Sequence, residues 1–217
     1  MPQGEKLKRD FLRGFSFIEL LVSIAIMAII MGITLSGGPQ SIMRLSLGNN
    51  TYEVEAMIRE AQLQGSAINS FNDTYGGVGV FFSRSTPTQV LKFKDRVDPS
   101  IVRAIGIGNG LYDTTPEDEQ ESLFKLTNNH RIGKLCVATS TTPLMCNDAY
   151  EPHVSTLTIS FNRPKQTAHM YINGTTSIDY TIACIQVDSL KSPTPGFVRS
   201  IYVYQSGMIT KSSDICQ

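Results

Sequence analysis

The residues best placed to do chemistry lie in Arg13-Gly14-Phe15-Ser16-Phe17-Ile18-Glu19, at the start of an almost unbroken apolar run to Leu35. Hydrolysis after Gly14 would free an α-amine on Phe15. Glu19 follows four residues later, about one helical turn on, and is the sole ionisable side chain between Phe15 and Leu35. A carboxylate in hydrocarbon costs about 2.5–3.5 kcal/mol even on the lenient insertion scale. An acid kept in such a place calls for a positive partner, and the freed amine lies within a helical turn of it.

The surrounding elements must position that pair. Phe15 to Leu35 is 21 residues, about 30 Å of helix, enough to cross a bilayer core. The flank before it carries Lys6, Lys8, Arg9 and Arg13 against Glu5 and Asp10, which predicts a cytoplasmic N-terminus. An ordinary secretory signal is cut after its apolar core. Here the small residue, Gly14, precedes the core, so cleavage would remove the basic leader and keep the helix. An uncleaved anchor is the plainer alternative, with Glu19 at the headgroup boundary.

Gly14-Phe15-Ser16-Phe17-Ile18-Glu19-Leu20-Leu21-Val22 resembles the leader junction of type IV pilins and type II secretion pseudopilins. The resemblance implies cleavage by prepilin peptidase between Gly14 and Phe15, and N-methylation of Phe15. It also implies pairing of Glu19 with the Phe15 amine of another subunit during assembly. The partners implied are other pilin or pseudopilin subunits, the peptidase, an inner-membrane assembly platform and membrane lipid.

The chain has 217 residues and a formal charge of zero. Loss of residues 1–14 removes four basic and two acidic residues, leaving 203 residues with 15 basic against 17 acidic, a formal charge of −2. That suits one anchor helix and one domain with a sizeable core. A near-neutral domain gives no reason to expect nucleic-acid binding; Lys191, Arg199 and Lys211 are the residues that a DNA-capturing pilin would have to use. Cys136, Cys146, Cys184 and Cys216 all follow the membrane segment, so they would face an oxidising space. Four cysteines permit three full pairings. Closure of the short polar loop between Cys136 and Cys146 is the first choice, leaving Cys184 for Cys216; buried, reduced thiols are the alternative.

Gly37-Gly38-Pro39 predicts an interruption of the helix. After it, Val54, Met57, Ile58, Ala61 and Ile68 share one face, with Glu53, Glu55, Arg59, Glu60 and Gln64 on the others. From Gly77 the period changes to two. Strands are predicted at Val78–Phe82, Val90–Phe93, Leu135–Val137, Ser155–Phe161, Ala168–Ile172 and Thr181–Val187. Asn173-Gly174 is read as the turn joining the last two, and Phe197–Tyr204 with Met208–Thr210 as a closing hairpin around Ser206-Gly207. Leu111–Arg131, with the acidic run 117–121, reads as a surface loop that could end in a short helix. Ser192–Gly196 is a further loop.

Helix end 54–68, strand Leu157–Phe161 with Asn162-Arg163-Pro164, and hairpin Ile201–Thr210 are similar to the H-type minor pseudopilins. Lys165 and Gln166 stand where that branch has a glycine.

No catalytic constellation is visible. His130, His153 and His169 are isolated, and there is no G-x-S-x-G, H-E-x-x-H or P-loop. Gly106–Gly110 opens no helix and reads as a turn. The acidic run lacks the spaced oxygens and glycine turn of a Ca²⁺ loop, and no cysteine spacing suggests zinc. Asn49, Asn72 and Asn173 head N-x-[ST] triplets of a frequency expected by chance. No metal or cofactor is expected, and no enzyme activity.

The expected architecture is α+β: a leader (1–14), a transmembrane and assembly helix (15–36), an amphipathic helix (40–70), and an antiparallel β head (71–217) outside the cytoplasmic membrane. The expected function is a minor structural subunit of a type IV pilus or type II secretion pseudopilus. The alternatives are a DNA-capturing competence pilin and a membrane-anchored surface protein that never polymerises. Gly14→Val should leave the leader attached, seen on a gel as a larger precursor; a trimmed chain of wild-type size would contradict the cleavage.

Overall fold

The computed structural model describes residues 15–67, 75–96, 108–114, 119–146, 154–162, 166–190 and 196–217, with the backbone alone at 35–40 and at Tyr75. Two compact units divide the chain, Met1–Ile42 and Met43–Gln217. Ile68, Asn72, Gly106, Ile107, Glu117, Asp118, His153, Arg163–Lys165 and Lys191–Pro195 lie outside the described residues, as does the leader with Gly14.

One helix, α1, runs from Phe17 to Ala67. It passes through Gly37-Gly38-Pro39 without the interruption that the sequence predicts. A proline fits helical φ and forfeits one amide bond, whereas ending the helix there would orphan four N–H and four C=O groups on the two new ends. The first stretch, Phe17–Thr34, has a mean hydropathy of 2.4 and no buried residue.

In the second unit the same helix becomes one-sided. Leu47, Val54, Ile58 and Ala61 are fully buried, with Met57 partly so, as helical spacing demands. Each large side chain of this stripe contributes about 1.5–3 kcal/mol by leaving water. Glu55, expected on the solvent side, is buried too.

The stripe packs on two antiparallel sheets. The first has the order β3-β2-β1-β6-β7, with β1 Tyr75–Ser83, β2 Gln89–Arg96, β3 Gln120–Lys125, β6 Thr156–Phe161 and β7 Ala168–Ile172. The second has the order β10-β9-β8-β4-β5, with β4 His130–Ala138, β5 Met145–Cys146, β8 Ile182–Ser189, β9 Val198–Tyr204 and β10 Ile209–Ser212. Register fixes which residues point inward, because side chains alternate faces. Val80 stands opposite Ile159, and Ile159 opposite Met170. Leu135 stands opposite Ile185, and Ile185 opposite Ile201. These rows and the helix stripe form a single apolar cluster.

Two strand expectations change. Residues 111–131 are not one loop: β3 lies within them at the edge of the first sheet. Leu123 and Phe124 pair with Leu91 and Val90, and Glu121 meets Lys92 and Lys94 at 3.3 and 2.9 Å. Backbone pairing to β2 and these ion contacts hold a segment whose composition reads as surface. Asn173-Gly174 also does not join β7 to β8. Both residues have positive φ, 51° and 71°, and the turn closes locally on an Ile172–Thr175 bridge. The chain then crosses to the other sheet, where both edges of β8 are taken, by β4 and β9.

Helix and sheet approach closely at Gly65, where a Cβ would overlap the carbonyl oxygen of Phe161 and stand 2.9 Å from its Cβ. Alanine favours a helix by about 1 kcal/mol over glycine, yet Gly65→Ala should lower stability by about 1–3 kcal/mol through overpacking. A reduced urea midpoint would show it; an unchanged or raised midpoint would refute the close contact.

Candidate functional site

The N-terminal turn of α1 carries the sequence-predicted site. Ser16 precedes the helix, and its carbonyl accepts the N–H groups of Glu19 and Leu20 at 3.0 and 3.1 Å. Ser16-x-x-Glu19 has the spacing of a capping box, and a carboxylate in the first turn of a helix is stabilised by the helix dipole. Phe15, Phe17 and Ile18 are exposed, Phe15 to 78%, as is Glu19. The helix beyond shows no free hydroxyl at Ser23 or Thr34. Ser23 Oγ donates to the Glu19 carbonyl at 2.7 Å, and Thr34 Oγ1 contacts the carbonyls of Ile30 and Met31 at 3.1 and 3.0 Å. Such back-bonding hides polar atoms from an apolar medium. Glu19 is thus the one ionisable group on an otherwise apolar, uncovered surface from Phe17 to Thr34.

The two described histidines of the head lie on different sheets. His130 is fully buried, with Nδ1 3.0 Å from Asn50 Nδ2 and 2.8 Å from the Thr127 carbonyl. His169 sits on the other sheet opposite Ser160. Among the described residues no three His, Cys, Asp or Glu side chains group as metal ligands. Of the basic residues named for DNA, Lys211 lies 2.6 Å from Glu55 Oε2, and Arg199 Nη1 donates to the Val198 carbonyl.

Lys211 and Glu55 belong to a cleft of about 290 Å³ lined also by Tyr52, Ala56 and Arg59. Arg59 donates to Glu55 Oε1 through Nε and Nη2 at 3.0 and 2.8 Å. The Lys211 contact to Oε2 is close but poorly aimed for a hydrogen bond. Burial acts to raise the Glu55 carboxyl, yet Lys211 and Arg59 together hold it below the ordinary glutamate value. A second ionic knot ties helix to sheet, with the buried Lys92 Nζ 2.6 Å from Glu60 Oε1 and 3.3 Å from Gln64 Oε1. Sequence reasoning missed Lys92. Its signal was a charge on the same strand parity as Val90, facing the helix.

Disulfides join Cys136 to Cys146 and Cys184 to Cys216. All four sulfurs gather on the outer face of the second sheet, with Leu144 and Tyr202. The C-terminal residues are tied down there as well: Ser200 Oγ donates to the Asp214 carbonyl at 2.6 Å, and the Cys216 N–H donates to Gln186 Oε1 at 3.3 Å.

An exposed apolar helix that begins with a lone acid and continues into a β head defines a class by architecture, that of α+β chains whose first helix is long and apolar enough to cross a membrane. A family model described as the prokaryotic N-terminal methylation motif matches residues 13–35. The match supports a type IV pilin-like structural subunit, a class processed by prepilin peptidase and assembled with other pilin subunits. The apolar helix is compatible with a membrane anchor in such a chain. No curated protein and no solved structure matches the chain.

Loop-closure entropy grows with the length of the loop closed. Replacing both Cys184 and Cys216 by serine should therefore cost about 3–4 kcal/mol, and replacing Cys136 and Cys146 about 1 kcal/mol less, with separations of 32 and 10 residues. Denaturant midpoints of the two variants would rank them, and the reverse order would contradict the account.

Proposed function

We propose that the chain is a minor subunit of a type IV pilus or type II secretion pseudopilus. The observation that carries the reading is the methylation motif over residues 13–35, with Glu19 alone among exposed apolar residues. In this reading prepilin peptidase cuts after Gly14, and Phe15 is N-methylated. The mature chain waits in the cytoplasmic membrane as a single-pass protein with its head outside. Assembly moves the helix from lipid into a bundle of related helices.

Apolar packing is similar in the two settings, since lipid tails are as apolar as leucine. Glu19 then supplies register. Its carboxylate is satisfied when the Phe15 amine of a neighbour arrives, and a misaligned subunit leaves a charge unpaired. Such a pair adds little net stability and selects one alignment. The H-type branch is supported by helix residues 54–67, strand β6 and the β9–β10 hairpin, the elements on which the likeness stands. Assignment as a minor subunit is supported by a head elaborated with two disulfides and several loops.

Glu19→Ala should insert in the membrane and lose its leader as wild type does, while its share in sheared filaments falls at least about tenfold, the equivalent of roughly 1.4 kcal/mol of alignment energy. Incorporation at wild-type levels would overturn the role of Glu19. Intact-mass analysis of the mature N-terminus tests the processing separately, expecting Phe15 as the first residue with one added methyl group.

A further inference from the structure

Residues 108–114 lie over the outer face of the first sheet, and two carboxylates fasten them there. Asp95, on β2, is fully buried. Its Oδ2 accepts the Gly110 N–H at 2.9 Å, while Oδ1 is equally buried and has no hydrogen-bond partner among the described residues. Glu119 accepts the Arg96 N–H on Oε1 at 2.7 Å and the Asp113 N–H on Oε2 at 2.9 Å. Tyr112, from this segment, packs against Phe81 and Phe93 with ring centres 5.2 and 5.7 Å away. The fit is tight. A Cβ at Gly108 would overlap the Asp95 carboxylate, and one at Gly110 would come within 2.6 Å of the Tyr171 ring.

We propose that residues 108–114 form a pH-responsive strap, closed over the Phe81–Phe93 face while Asp95 is protonated and loosened when Asp95 is charged. Among the described residues, the groups facing Asp95 are the Glu119 and Asp113 carboxylates and the Tyr171 phenol. Arg96, next in the chain, acts on Glu119. Lys92 and Lys94 of the same strand are engaged with Glu60 and Glu121. Burial pushes the Asp95 carboxyl up to about 7; the Gly110 amide opposes the shift, and Glu119 and Asp113 reinforce it. Burial raises Glu119 as well, against its two amide bonds.

The sign follows from linkage. A closed strap keeps the Asp95 proton up to about pH 7, whereas an open one releases it near the ordinary aspartate value of about 3.9. Closure therefore weakens as pH rises between those limits, by up to about tenfold per pH unit, and levels off above them. The feature is a device within the head and stands independently of filament assembly.

Amide hydrogen exchange on the full chain in detergent micelles with a chelator present tests it. Protection at Gly110 and Asp113, corrected for intrinsic rates, should fall at least about tenfold between pH 5 and about 7.5. Asp95→Asn, which keeps an acceptor for Gly110 without the charge, should make the profile flat. A flat wild-type profile, or an Asp95→Asn profile as steep as wild type, would overturn the proposal. Should that variant fail to fold, carbon-13 NMR of the Asp95 carboxyl in the unaltered chain decides: a midpoint above about 6 supports the strap, and one below about 6 sinks it.

Discussion

A helix that lacks water around it must satisfy its backbone polar groups from within, and α1 keeps one continuous ladder over 51 residues with an amide forfeited at Pro39. That constraint orders the rest of the molecule. Through Phe17–Thr34 the helix is apolar on all sides, so nothing on its surface except Glu19 distinguishes one orientation from another. From Leu47 onward only one stripe is apolar, and that stripe dictates the inner faces of two sheets. The same backbone ladder thus serves one surrounding that is indifferent to direction and another that is selective.

Covering both sheets on the inside leaves two outer faces to be managed, and the chain uses different chemistry for each. On the first sheet, the carboxylates of Asp95 and Glu119 accept the Gly110 and Asp113 amides of a crossing segment. On the second, disulfides and the side chains of Ser200 and Gln186 hold the C-terminus. Carboxylate grips respond to protons and are reversible within the native state. Covalent ties do not respond to protons and are changed by redox chemistry. The head therefore has one outer face whose cover is adjustable and one whose cover is fixed.

Most of the strands and the start of α1 were legible in the sequence, because period-two and period-3.6 patterns follow directly from which side of an element meets apolar neighbours. Gly14, Phe15 and Glu19 are read on a different principle: the cost of a lone acid in hydrocarbon makes its spacing informative. The split into two sheets was not legible. Alternation in β7 and β8 says that each has an inner face, and it does not say with which strand each pairs. The continuity of α1 through Gly37-Gly38-Pro39 was hidden because local propensity speaks against it, while the cost of two new helix ends is not a local property. Glu55, Lys92 and Asp95 were hidden because charge is read as exposure, yet each is buried beside partners brought together by the fold. β3 was masked in the same way, by the acidic company it keeps.

The register of the second sheet has a consequence for the making of the protein. Pairing of β4 with β8 sets Cys136 directly opposite Cys184, just as pairing of β4 with β5 sets Cys136 opposite Cys146. Residues facing each other across antiparallel strands lie within bridging distance. The native partner of Cys184 is Cys216, 32 residues further along the chain and synthesised after the other three cysteines. A chain that meets an oxidant before Cys216 has docked offers Cys136 a choice of two neighbours, one of which traps a natively aligned sheet with the wrong bond. Where oxidation comes first, recovery of the native pairs proceeds by thiol–disulfide exchange through a mixed intermediate.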